Sequence, residues 1–268
     1  MRLVLIPPYQ NPVLNWGFVL RELVSNMEKR GQTDGIEIDI DEGYFIESTS
    51  EKRDEEVLAL ITVGGIRKIR EYSEMGKYDA IVLTAGIDPA FVAGRLVSKI
   101  PVAAAIHSGL HVASLIGERC TIIQSFVPTG LIIRHLAERY GLSHKLASVR
   151  CCGHSTFSMY RIINKYREKK EERASDPELR KVIDDIVNQC IAAIEKDRVD
   201  SLILGNEPLP IFENEIRQGL DEAGYDEVPI ICAIPAAVEM AKVMASMKLM
   251  QAPRAYPSAS LKAKPEYW

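Results

Sequence analysis

Residues 78–91 read YDAIVLTAGIDPAF and residues 199–212 read VDSLILGNEPLPIF. Each consists of an aspartate, an apolar run suited to a strand buried on both faces, a turn with an acidic residue and proline, and a phenylalanine. The echo continues. IPVAAAIHSGLHVASLI is answered by VPIICAIPAAVEMAKVM, and RLVLIPPYQ by RCTIIQSFVP, each of the last pair preceding a helix that ends near EKRG or ERYG. Three ordered matches at similar spacing point to a duplicated unit whose halves begin near Arg2 and Arg119.

Within each half, strand-like runs alternate with helical periodicity, the pattern of a parallel sheet with crossover helices. Strands are expected at RLVLIP, IEIDI, AIVLTA, VAAAI, CTIIQ, LASVR, SLILGN and IICAI. Helices are expected at 16–30, 52–75, 90–98, 108–116, 128–140, 155–172, 177–197, 211–224 and 235–248. The fold class is therefore α/β: two similar lobes with mostly parallel four-stranded sheets, related by pseudo-twofold symmetry, with a cleft between them. The division expected is 1–100 plus 207–250 for the first lobe and 101–206 for the second, with an extended tail over 251–268. The symmetry breaks at a densely charged helical hairpin over 155–198. There Ser175-Asp176-Pro177 reads as a polar cap followed by proline at the first helical position, and Val182, Ile183, Ile186, Ile191 and Ile194 form an apolar stripe. This hairpin is expected to be solvated and to serve assembly into a homo-oligomer.

The charge balance excludes some partners. A net charge of −4 with no basic block outside the hairpin argues against nucleic acid. The opening MRLVLIPPYQ is too short in apolar residues for a secretion signal, and the most apolar window, IPVAAAIHSGLHVASLIG, carries two histidines and falls short of a membrane span. Five cysteines, an odd number without framework spacing, suit a reducing compartment, so a cytoplasmic location is expected. The partner left is a small-molecule substrate. No cofactor is implied.

The run DAIVLTAGIDPAFVAGRLVSKIPVAAAIHSGLHVASLIGERCTIIQS resembles the aspartate/glutamate racemase superfamily, particularly its hydantoin racemase branch. There an apolar strand leads into a Cys-x-x-Asp-Pro turn, a helix, and a second strand opening with Pro-Val. RLVLIPPYQN is similar to that branch's strand and Asn-Pro-Asn turn, DEGYFIES to its Gly-Pro…Ile-Glu loop, and DSLILGNEP stands where the family has strand-Leu-Gly-Cys. The resemblance implies two bases on opposite faces of an acidic carbon, in most members a thiolate from each half. By the Asp88-Pro89 and Leu-Gly anchors, those positions hold Ala85 and Asn206 here. Neither side chain is a base at neutral pH, so two-thiol chemistry is not expected at these positions.

Other residues are then candidates for acid/base work. Glu207 follows Asn206, and a cleft shielded from water would raise its pKa toward that of a general acid/base; the alternative is a surface carboxylate paired with a lysine. His107 is expected to end a strand and titrate near neutrality, or else to cap the following helix. A metal pair with His111 lacks a third ligand, and no metal is expected. Asp88 would orient the catalytic groups. Cys152, in Cys151-Cys152-Gly153-His154, would be a thiol activated by an imidazole, or else an inert buried cysteine. By the family's pattern, hydroxyls and backbone N–H groups at strand-to-helix turns hold the substrate, which implies Thr84, Ala85, Gly86, Ser108, Ser125, Thr129 and Asn206. Tyr9 and Gln10 replace its polar residues after the first strand, and Tyr9 and Phe126 suit a larger or more apolar ligand. The expected activity is cofactor-independent lyase, hydrolase or one-sided proton-abstraction chemistry on a small carboxylate or cyclic amide. A racemase with substituted bases and a non-catalytic ligand-binding protein are the alternatives.

Overall fold

The structure, a computed structural model, describes residues 1–10, 16–46, 55–125 and 129–256. The chain divides into two units, one formed by Met1–Ala104 with the stretch from Ala237 onward and the other by Ala105–Ala236.

The first unit holds β1 (Arg2–Ile6), α1 (Trp16–Lys29), β2 (Glu37–Ile40), α2 (Glu55–Glu74), β3 (Ala80–Leu83), α3 (Phe91–Arg95) and β4 (Val102–Ala104). The second holds α4 (Ala105–Ile116), β5 (Cys120–Gln124), α5 (Thr129–Arg139), β6 (Leu146–Cys151), α6 (Thr156–Lys165), α7 (Lys170–Arg173), α8 (Pro177–Asp197), β7 (Ser201–Leu204), α9 (Glu213–Glu222) and β8 (Ile230–Cys232). α10 (Ala233–Ser246) begins in the second unit and continues in the first. All sheet pairings are parallel, and the two orders, β2-β1-β3-β4 and β6-β5-β7-β8, are the same order repeated.

The duplicated residues do the same work in each half. Asp79 accepts the Arg2 N–H at 2.7 Å, and Asp200 accepts the Arg119 N–H at 3.0 Å, so each repeated aspartate ties the start of the third strand to the start of the first. The repeated prolines also correspond: Ile81 N–H donates to the Pro101 carbonyl at 2.9 Å and Leu202 N–H to the Pro229 carbonyl at 3.0 Å. One outer strand of each sheet takes part in an ion pair, β2 through Asp39 and β6 through Arg150. Arg2 grips Asp39 through two bonds of 3.0 and 3.1 Å, holding that carboxylate well below its ordinary range. Arg150 grips Asp197 in the same forked way at 2.6 and 2.9 Å.

The division differs from the expectation at 207–236. β8 pairs with β7 in the second sheet, so this stretch belongs to the second unit. The exchange comes later, in α10, whose Ala237, Val238 and Ala241 fill the first sheet's core against Leu3, Leu5, Val82 and Ala103. α4 in turn lies on the second sheet, with Gly109 so near Ile203 and Ala233 that an added Cβ would meet them at 3.0 and 3.5 Å.

The charged hairpin also differs. Its first helix breaks after Lys165, and α8 starts as expected, with the Asp176 carboxylate accepting from Glu178 and Leu179 N–H at 2.8 and 3.3 Å. The buried stripe of α8 is Leu179, Val182, Ile186, Cys190 and Ala193, while Ile183, Ile191 and Ile194 flank it half-buried. α8 packs on β5, β6 and α9. It is part of the second unit's core layer, not a solvated arm. Among the described residues, no helix is long and apolar enough to cross a membrane.

Candidate active site

In parallel α/β sheets, ligands gather at the carboxyl ends of the strands, and most of the candidate residues stand there. In the first unit the turn after β3 is tightly held. Thr84 donates its N–H and its hydroxyl to the Ile6 carbonyl at 3.2 and 3.4 Å, which occupies the hydroxyl hydrogen within the protein. Asp88 N–H returns to the Ala85 carbonyl at 3.1 Å, and Phe91 N–H to the Asp88 carbonyl at 3.2 Å. Asp88 and Ala90 are held at φ +45° and +65°, left-handed conformations that L residues adopt at a cost of about 1 kcal/mol or more each. Gly65 of α2 presses on this strained turn, where a Cβ would lie 2.7 Å from the Ala90 Cβ. Asp88 is 5% exposed, and Gly86 and Ala85 are buried. Ala85 borders a void of about 10 Å³ walled by Ile6, Pro7, Ile61, Leu83 and Pro89, apolar and no larger than one water.

At the end of β1, Tyr9 is buried edge-on against Trp16, with ring centroids 5.7 Å apart. Gln10 N–H donates to the Tyr44 carbonyl at 2.9 Å, and its amide reaches Glu42 at 3.3 Å. A clamp that the sequence reading missed holds this pair in place. The Asp41 carboxylate accepts from Gly43 N–H at 2.6 Å, from Lys68 Nζ at 3.0 Å and from the Tyr72 hydroxyl. Gly43, at φ +88°, lies so close to Tyr9 that a Cβ would meet the Tyr9 carbonyl carbon at 2.4 Å. The Asp-x-Gly spelling at 41–43 was the available signal; its partners on α2 were not visible in it.

In the second unit, the ends of β5, β6 and β7 come together. Asn206 Nδ2 donates to Ser125 Oγ at 2.9 Å, and Ser125 Oγ shares a 2.8 Å bond with Thr156 Oγ1, another residue that the sequence reading did not single out. Asn206 is 5% exposed and Glu207 3% exposed. Glu207 is therefore a buried carboxylate, not one in a solvated surface turn. Cys152 Sγ lies 4.0 Å from the Ser125 carbonyl. Burial pushes its thiol up to about 11, the opposite of the activation expected from a neighbouring imidazole. His154 turns its Nε2 to Asp185 at 2.7 Å. The half-buried thiol of Cys151 is raised too, also by burial.

His107 does not end a strand. β4 stops at Ala104 and α4 begins at once, so His107 sits in its first turn, its ring edge-on to Tyr140 at 4.8 Å. With the helix starting that early, His111 does share its face: their rings lie 4.2 Å apart, and His111 Nδ1 donates to the His107 carbonyl at 2.8 Å. Ser108 is buried in the same turn, its hydroxyl without a hydrogen-bond partner among the described residues. Thr129 is the first residue of α5, half-buried. Phe126 lies outside the described residues. Among the described residues, no three or more histidine, cysteine, aspartate or glutamate side chains are grouped to hold a metal ion.

Comparison with known proteins agrees with this layout. The sequence model of the Asp/Glu/Hydantoin racemase family matches residues 18–241. A hydantoin racemase from Pseudomonas sp. (strain NS671) is 22% identical over 184 residues, 69% of this chain and 65% of that protein, so the chain spans just under two thirds of this relative's length. Solved structures share the fold, two allantoin racemases among them. The allantoin racemase from Klebsiella pneumoniae superposes with a TM-score of 0.73 at 19% identity, covering 99% of each chain. That from Pseudomonas fluorescens gives 0.74 at 19% identity, covering 96% of this chain and 97% of its own. With a matched span running from α1 into α10, the chain belongs to the Asp/Glu/hydantoin racemase family.

Proposed function

We infer that the chain is a cofactor-independent enzyme that removes a proton from a carbon of a small carboxylate or cyclic amide, with Glu207 as the base. The observation that carries this is the Glu207 carboxylate, buried at the carboxyl end of β7 beside the tethered Asn206. A carboxylate withdrawn from water and fixed at a strand end suits proton transfer to and from carbon. Burial raises the Cys152 thiol to about 11, which supports a carboxylate base over this thiol. Ala85 and Asn206, where the family's pattern places thiols, supply none. The proton taken by Glu207 returns to the same face of the carbon, or the carbanion expels a leaving group from the adjacent carbon, which takes that proton in a lyase step. The names of the hydantoin and allantoin racemases above make hydantoins and allantoin the first substrates to try.

A second reading, a racemase with carboxylate bases, is favoured by Asp88, buried at the equivalent turn of the other half. Single-enantiomer hydantoins, allantoin and amino acids incubated with the protein in deuterated water separate these readings. Deuterium uptake without inversion supports the one-sided enzyme, and uptake with inversion supports the racemase. Neither uptake nor turnover, combined with ligand-dependent thermal stabilisation, would identify a binding protein and contradict both.

A further inference from the structure

Asn206 presents a polar atom that nothing among the described residues satisfies. Its Nδ2 donates to Ser125 Oγ at 2.9 Å, whereas its Oδ1 is shielded from solvent and meets no donor. Buried carbonyl oxygens are nearly always met by a donor. Ser125 Oγ accepts from Nδ2 and shares a 2.8 Å bond with Thr156 Oγ1, in which either hydroxyl can donate. The residue before Asn206 must be glycine, because a Cβ on Gly205 would lie 2.4 Å from Gln124 Nε2 and 2.7 Å from the Ile122 side chain. The next residue, Glu207, is buried as well and carries a carboxylate, an acceptor when ionised. The turn after β7 therefore carries acceptor groups. Such a turn matches a ligand N–H and repels a ligand carboxylate.

We propose that Asn206 is a specificity-determining residue whose Oδ1 accepts an N–H of the ligand, so that this turn selects amides and ureides over carboxylates. The inference rests on the reading that the β7 turn is where the ligand binds, but not on any catalytic step. Ser125 and Thr156 act as positioning residues, keeping Nδ2 turned inward and Oδ1 toward the ligand.

Calorimetric titration with hydantoin, 1-methylhydantoin, 3-methylhydantoin and succinate tests it. The wild-type protein binds hydantoin about tenfold or more tightly than at least one methylated analogue, the loss expected when a buried acceptor is left without its donor, and more tightly than succinate. Asn206→Leu brings the hydantoin-to-methylhydantoin ratio close to one. Asn206→Asp, which keeps an acceptor at the Oδ1 position, retains the ratio, and Ser125→Ala lowers it by releasing the amide. If Asn206→Leu fails to fold, the Asp and Ser125→Ala variants decide the matter. The proposal is overturned by absence of hydantoin binding, by equal affinity for all three hydantoins, by tighter binding of succinate, or by a ratio that survives Asn206→Leu. Because binding is read without turnover, intact discrimination without deuterium uptake would contradict the enzyme reading alone, and uptake without discrimination would contradict this one alone.

Discussion

Asn206 Nδ2 and Ser125 Oγ, 2.9 Å apart, join the turn after β7 to the end of β5. Both side chains are buried, so removing Ser125 takes the acceptor from Asn206 Nδ2 and the partner from Thr156 Oγ1. Ser125→Ala is expected to lower unfolding stability by about 1–3 kcal/mol in urea titrations. A change under about 0.5 kcal/mol would show that the bond is not an anchor of this turn.

Burial of Cys152 has a pH signature. Its thiol is raised from 9.0 to about 11 in the folded chain. A raised folded value means the native state holds the proton more tightly than the unfolded state does, so this contribution to stability is complete below pH 9 and is lost as pH rises through 11. Wild-type stability minus that of Cys152→Ala is therefore expected to shrink by about 2–3 kcal/mol between pH 8 and pH 11. The same shift makes Cys152 slow to alkylate at pH 7. Rapid labelling of Cys152 by iodoacetamide in the native protein would contradict the assignment.

Gly43→Ala tests the clamp behind Tyr9 and Gln10. The new methyl group would meet Tyr9 backbone at 2.4 Å while the residue stays at φ +88°. A loss of about 2 kcal/mol or more in stability is expected from strain and overpacking together. Asp41→Asn, which keeps the shape but removes the charge facing Lys68, should cost less, about 1 kcal/mol. Equal, small effects from both would mean that the loop is not held as described.

The duplicated architecture was legible because Asp79 and Asp200, and Pro101 and Pro229, perform the same backbone tasks at the same places in each half. Their spacing in the chain reflects their spacing in the sheets. Asp176-Pro177 was legible for a similar reason, since capping is a local matter. His107 was misplaced because α4 follows β4 without a loop or polar cap, leaving no start signal in AAAIHSG. The α8 stripe was read from its isoleucines, but the sheet selects Cys190 and Ala193, where small side chains allow close approach. The Asp41 clamp and the Thr156 support were invisible because their partners come from helices distant in sequence.

Glu207, buried at the end of β7, is the proposed base. Solvent deuterium uptake into a hydantoin or allantoin, followed by NMR for the wild type and for Glu207→Gln, tests this most directly. The wild type is expected to catalyse uptake, and the glutamine variant to be slower by about a hundredfold or more while retaining its fold. A Glu207→Gln protein that exchanges deuterium within twofold of the wild-type rate would contradict it.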